Sequence, residues 1–113
     1  MQTHLTVIAF VMLQTVSAMA SSPLKVELLG VQKIWDQAPH NAFTDLTLWQ
    51  DQFYCAFREG RGHVSSDGKI RVIRSADGET WTSAAQIELT GFDLRDAHLS
   101  VTPDNRLMLL GGA

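Results

Sequence analysis

The sequence predicts an all-β fold assembled from short strands that follow one another along the chain. Three observations carry that expectation. From Leu24 onward, β-branched, aromatic and aliphatic residues come in short runs bounded by Gly, Pro, Asn, Asp and Ser. No stretch of useful length has the spacing of an amphipathic helix. After Gly91 the strand, turn, strand texture starts again, which implies a repeat.

The 113 residues allow one small domain at most. The first twenty, "MQTHLTVIAFVMLQTVSAMA", run apolar from Leu5 to Leu13 ahead of Ala18-Met19-Ala20, and read as a signal peptide cut after Ala20. The apolar stretch is too short, and too broken by Gln14 and Ser17, to span a bilayer. A secreted or periplasmic protein with no membrane span after signal removal is therefore expected. Residues 21–42 form a leading segment, in which "LKVELLG" (24–30) and "QKIW" (32–35) read as an opening strand or two and Pro39 to Asn41 breaks the chain. Four strands follow in residues 43–89: "FTDLTLW" (43–49), "QFYCAFRE" (52–59), "KIRVIRS" (69–75) and "WTSAAQIEL" (81–89). Their close succession predicts an antiparallel meander. Trp49-Gln50-Asp51-Gln52 is short enough for a hairpin turn, whereas residues 60–68 make a longer loop with a Ser-Ser-Asp-Gly turn. "HLSVTPDNRLMLLGG" (98–112) supplies two further strands about a Pro-Asp-Asn turn.

Composition excludes several function classes. A net charge of −3 gives no basis for nucleic-acid binding. Cys55 is the single cysteine, so no internal disulfide is possible, and its apolar run "FYCAF" reads it as a small buried hydrophobe. His40 and His63 have no metal-ligand spacing with each other or with Cys55, and "REGRGHVSSDG" lacks the ending of a phosphate loop. Neither a metal nor a cofactor is expected.

The loop "SADGETW" (75–81) is more specific. Ser75 and Asp77 carry oxygens that accept hydrogen bonds from turn amides, Gly78 can take positive φ, and Trp81 can fold back beneath the turn. This stretch resembles an Asp box, the repeat of bacterial neuraminidases with the form Ser-x-Asp-x-Gly-x-x-Trp, here one residue short. The resemblance implies a structural turn far from any active centre, and a β-propeller blade around it.

The surroundings are similar, in order and spacing, to the start of exo-sialidases: "AFREGR" (56–61), a loop containing Asp67, the strand "KIRVIRS", then the box. That resemblance implies a sialidase-like β-propeller of which residues 43–113 form the first one to two blades, the N-terminal piece of a longer protein. It also implies roles for two residues. Arg61 matches an arginine that grips the sialic-acid carboxylate, and Asp67 lies within a residue of the catalytic acid/base. On the residues alone, Arg61 is equally an ordinary loop arginine, and Asp67 a turn cap.

The sequence departs from the family pattern at "FTDL" (43–46), where Thr44 stands in place of the first carboxylate-binding arginine. Loss of a bidentate cation at a buried anion site costs on the order of a few kcal/mol. Either Arg58 substitutes for it, or the ligand is not a sialic acid. Arg95, Asp96 and His98 are further candidates: either they sit at the entrance of an inner strand, where propeller sites are built, or they simply form a surface ion pair and turn. Two classes stay open: a glycoside hydrolase acting on a sialylated or related glycan, and a non-catalytic propeller module that binds sugar or protein. No oligomeric state is implied.

Overall fold

The structure, a computed structural model, describes residues 24–113; the signal-peptide reading of residues 1–20 lies outside the described residues. The chain divides at Gly30 into two units, the second spanning Val31–Ala113. In the first, residues 24–30 are exposed and form no regular structure.

The second unit contains six strands: β1 (His40–Trp49), β2 (Gln52–Gly60), β3 (Lys69–Ser75), β4 (Thr82–Ile87), β5 (Arg95–Val101) and β6 (Leu107–Gly112). The first four form one antiparallel sheet in sequence order, and β5 and β6 form a second, two-stranded sheet. The described residues are all-β in architecture, with no helix among them. β1 begins directly after Pro39, three residues before the expected Phe43, because a proline tolerated at a strand's threshold does not stop the ladder beyond it.

Turn chemistry sets the two hairpins. Gln50 and Asp51 have φ of 49° and 58°, the two positive values of a type I′ turn, whose twist matches that of β1 and β2. The β5–β6 turn is longer: Asn105 has φ of 58°, and the Thr102 amide donates to the Arg106 carbonyl at 2.9 Å. Both strands that open a sheet are bulged. The register slips between Ala42 and Asp45 in β1, and between Arg95 and His98 in β5, so two residues oppose one in each case. Phe43 and Asp96, the first residue of each bulge, have φ of 59° and 50°. The restart expected after Gly91 is thus a repeat of backbone geometry, down to the bulge.

β2 and β3 lie between two apolar clusters, one on each face of their sheet. On one face Ala56, Ile70 and Val72 meet Ala97 and Leu99 of β5, flanked by Tyr54, Leu94, Leu107 and Leu109. On the other, Cys55, Phe57 and Ile73 are covered by Ile34, Trp35 and Trp81. Residues 32–35 are therefore a strap, not the strand expected of them. Their apolar side chains are committed to covering the sheet face, and the Trp35 indole donates to Glu59 Oε1 at 2.7 Å. β4 is an edge strand exposed at every position, which explains why its sequence "TSAAQI" carries so little apolar weight.

The β3–β4 connection closes as its composition requires. Ser75 Oγ donates to Asp77 Oδ1 at 2.8 Å and accepts from the Gly78 amide at 2.9 Å. Asp77 Oδ1 accepts from the amides of Glu79 and Thr80 at 2.9 and 2.7 Å. Gly78 has φ of 78°, and the Trp81 indole donates to its carbonyl at 2.9 Å while the ring packs against the second cluster.

These bonds hold the Asp77 carboxyl down at about 2, first through the Thr80 amide, then the Glu79 amide and the Ser75 hydroxyl. A depressed carboxylate stabilises the fold fully above its ordinary value of 3.8, and that contribution disappears as pH falls through about 2. Urea midpoints measured at fixed protein concentration should therefore fall across this acid window. Because Asp45, Asp67, Asp93 and Asp104 shift in the same direction, the Asp77 share is the difference between the wild type and Asp77→Asn. Parallel pH profiles for the two proteins would refute the assignment.

Candidate functional site

Two contacts fix the relative direction of the sheets. The Leu94 amide donates to the Gly68 carbonyl at 3.0 Å, next to the starts of β5 and β3. The Trp49 indole, at the end of β1, donates to the Asn105 carbonyl at 3.2 Å, just past the end of β5. β1 and β5 consequently run the same way, and one rim of the molecule gathers both bulges, the 60–68 loop and the 88–94 connection. The opposite end holds the Gln50-Asp51 turn, the Ser75–Trp81 turn and the Pro103-Asp104-Asn105 turn. Chemically versatile residues crowd the first rim: His40, Arg61, His63, Asp67, Arg95 and Asp96.

Behind this rim lies Arg58, with 0% exposure. Its Nε donates to Asp93 Oδ1 at 2.8 Å, Nη1 to the Gly62 carbonyl at 2.9 Å, and Nη2 to the Ser65 carbonyl at 2.8 Å. Gly60 and Gly68 are glycine for the sake of this guanidinium. A Cβ at Gly60 would stand 2.7 Å from Arg58 Nη1, and one at Gly68 would collide with Asp93 and with Arg58 Nε. Arg58, expected to bind substrate, is fully buried, and its guanidinium holds the 60–68 loop and Asp93. Strand alternation put it on the face covered by the second sheet, where only a fully paired cation is tolerated.

Asp93 is shared. Arg95 Nε donates to its Oδ2 at 2.6 Å, and Arg95 Nη2 meets the same oxygen. Burial pushes the Asp93 carboxyl up, but the bonds and charges of Arg95 and Arg58 outweigh it, so the net shift is down. Arg95 is half-buried on the rim, oriented by Asp93. Asp96, beside it, is exposed on its bulge. His98 is exposed, with Nδ1 3.7 Å from Asp45 Oδ2.

Arg61 and Asp67 come together. Arg61 Nε donates to Asp67 Oδ2 at 3.1 Å, and the Arg61 amide lies 3.3 Å from both carboxylate oxygens. Both line an open cleft of about 210 Å³ with Gln37, Glu59, Lys69 and Gln86. The Arg61 side chain is 76% exposed, and its two Nη groups make no hydrogen bond among the described residues. The Asp67 carboxyl is lowered to about 2, by the neighbouring Ser65 hydroxyl, then by the Arg61 amide and guanidinium. The Ser65 hydroxyl donates to the Gly62 carbonyl at 2.9 Å, so the Arg61 contacts are the ones the geometry supports. In this arrangement Asp67 is an anion with no proton to give. A general acid here requires Asp67 to part from Arg61.

Glu59 forms the cleft's floor on the face opposite Arg58. It is 6% exposed and accepts from Arg71 Nε and Nη2 at 3.0 and 2.9 Å, besides the Trp35 indole. Arg71 also donates to Ser83 Oγ at 2.9 Å and Gln86 Oε1 at 2.7 Å, and its guanidinium stands 5.5 Å from the Trp35 ring centroid. Sequence reasoning missed this network, because Glu59 and Arg71 are 12 residues apart and meet only through the β2–β3 register.

The remaining candidates are placed as follows. His63 packs on the rings of His40 and Phe43, with centroids 5.4 and 5.3 Å apart. His40 Nδ1 and Asn41 Oδ1 are buried without a hydrogen-bond partner among the described residues. Thr44 is exposed and lines a small cavity with Asn41, Trp35 and Cys55, with no cation among its lining residues. Tyr54 packs on Trp49 and the first apolar cluster, away from the rim. Cys55 is 5% exposed, and burial pushes its thiol up, which keeps it protonated and inert.

Comparison with protein-family models, with curated proteins and with solved structures gives no match for this chain.

Proposed function

We propose that the two sheets are successive blades of a sialidase-like, Asp-box β-propeller in an exported protein, and that the cleft beside Arg61 recognises the carboxylate of an acidic sugar. One observation carries this reading: Arg61 and Asp67 share a single open cleft on the rim opposite the Ser75–Trp81 turn. The two Nη groups of Arg61 face no acceptor among the described residues, so they can grip a carboxylate with two parallel hydrogen bonds. Lys69, tied to Glu88 at 2.8 Å, adds positive charge to the same cleft.

Hydrolysis is the second reading. It is favoured by the resemblance that casts Asp67 as acid/base, and opposed by the ion pair that holds Asp67 ionised. A sugar carboxylate that drew Arg61 away would relieve that opposition, since an exposed ion pair of this kind contributes little stability.

Titration of the protein with N-acetylneuraminate, followed by NMR, tests recognition. Arg61→Ala should weaken binding by about 10–100-fold, the loss expected of a charge-assisted hydrogen-bond pair. An unchanged affinity would remove Arg61 from the site. A fluorogenic sialoside separates the two readings: release of the fluorophore that is abolished by Asp67→Asn supports hydrolysis, whereas binding without release supports a recognition module.

A further inference from the structure

A second cleft, of about 180 Å³, adjoins the first on the same rim. It is lined on one side by Ser66 and Asp67 of the 60–68 loop, and on the other by Glu88, Leu89, Thr90 and Phe92 of the β4–β5 connection. These two segments are tied to each other. The Leu94 amide donates to the Gly68 carbonyl at 3.0 Å, and the buried Arg58 joins Asp93 to the carbonyls of Gly62 and Ser65. The Phe92 amide donates to the Leu89 carbonyl at 3.0 Å, closing a turn in which Gly91 has φ of 83°. The walls are therefore held in place before any ligand arrives.

Asp67 lines both clefts, and two ion pairs cross between them in the same sense. Arg61 of the first cleft meets Asp67 at 3.1 Å, and Lys69 of the first meets Glu88 of the second at 2.8 Å. Each cation thus belongs to the first cleft, and each carboxylate lines the second. No Lys, Arg or His lines the second cleft. An ionised carboxylate only accepts hydrogen bonds, which suits the hydroxyl donors of a sugar, whereas a second carboxylate brought there meets like charge. Ser66 and Thr90 add hydroxyl groups, and Leu89 and Phe92 supply apolar surface for the C–H face of a pyranose ring.

We propose that the second cleft holds the sugar next to the acidic one and selects an uncharged unit there, so that the chain recognises an acidic sugar borne on a neutral sugar and rejects two consecutive acidic sugars. The inference rests on the recognition proposed for the Arg61 cleft and extends it to the neighbouring unit. Discrimination comes from the repulsive element, the carboxylates of Asp67 and Glu88, as much as from the contacts a neutral sugar gains.

Three sulfur-linked glycosides of N-acetylneuraminate, which resist hydrolysis, test it in NMR titrations: the methyl glycoside, the glycoside of galactose and the dimer of N-acetylneuraminate. The galactose glycoside should bind roughly tenfold tighter than the methyl glycoside, and the dimer no tighter than the methyl glycoside. Phe92→Ala should bring the affinities for the galactose and methyl glycosides together; Phe92 is 52% exposed, so the fold should survive its loss, which circular dichroism checks. Glu88→Gln should raise the affinity for the dimer relative to that for the methyl glycoside. Failure of all three ligands to bind would remove the recognition reading and this inference with it. A methyl glycoside that binds while the dimer matches or exceeds the galactose glycoside would overturn this inference alone, as would a preference for the galactose glycoside that Phe92→Ala leaves intact.

Discussion

Arg58→Ala is expected to lower stability by about 3–5 kcal/mol, enough to unfold much of a domain of this size. The substitution removes a cation with no exposed surface, strands Asp93 Oδ1 and the Ser65 carbonyl, and leaves the Gly62 carbonyl with the Ser65 hydroxyl alone. Asp93, 18% exposed at its side chain, would be left facing only Arg95, and the 60–68 loop would lose its two carbonyl anchors. Arg58→Lys keeps the charge but offers one compact ammonium in place of a fork that reaches three directions, so it should recover less than half of the loss. Urea denaturation measures both. A shift in midpoint no larger than that of a surface substitution would mean that the guanidinium is not the anchor its contacts describe. The same variants bear on the cleft: because Arg58 holds the loop that carries Arg61 and Asp67, the Lys variant should also weaken N-acetylneuraminate binding if the proposed recognition holds.

Glu59→Ala should cost about 3 kcal/mol, the scale on which a buried charged network fails when one partner is removed. Glu59 is next to Arg58 in sequence but points to the other face, where it accepts from the Trp35 indole and from two nitrogens of Arg71. Its removal leaves the indole N–H unpaired and frees the strap over Phe57, whose ring lies 6.3 Å from that of Trp35. Arg71 keeps Ser83 and Gln86 as partners, which is why the expected loss is smaller than at Arg58. The strap makes this loss visible in a second way, since Trp35 fluorescence should move toward that of a solvated indole. Glu59→Gln preserves an acceptor for the indole but not the charge for Arg71, so it should retain the Trp35 signal better than it retains stability. An alanine variant with unchanged tryptophan emission would show that the strap is held by its apolar contacts alone.

The strands and turns were largely legible because they rest on local rules. "KIRVIRS" reads as a strand and is one over the same residues, and "SADGETW" closes through the bonds its Ser, Asp, Gly and Trp can make within seven residues. Local reading went astray where side chains served a distant surface. Residues 32–35 have the apolar content of a strand but no neighbouring strand to pair with, and tertiary packing turned them into a strap.

The site was legible only as a set of candidates. Composition and order named Arg58, Arg61, Asp67, Arg95 and Asp96, and nothing local distinguishes an arginine that binds a ligand from one that holds a loop. Burial makes that distinction. The β2–β3 register and the packing of β5 enclosed Arg58 completely, left Arg61 in the open, and placed Asp67 against a guanidinium that keeps it ionised. What the residues determined by themselves is therefore the all-β texture, the hairpin turns and the repeat. Which end of the sheets gathers the charged candidates, and which of them stays exposed there, was decided by contacts between residues far apart in the chain, because desolvation and ion pairing depend on neighbours that only the folded structure supplies.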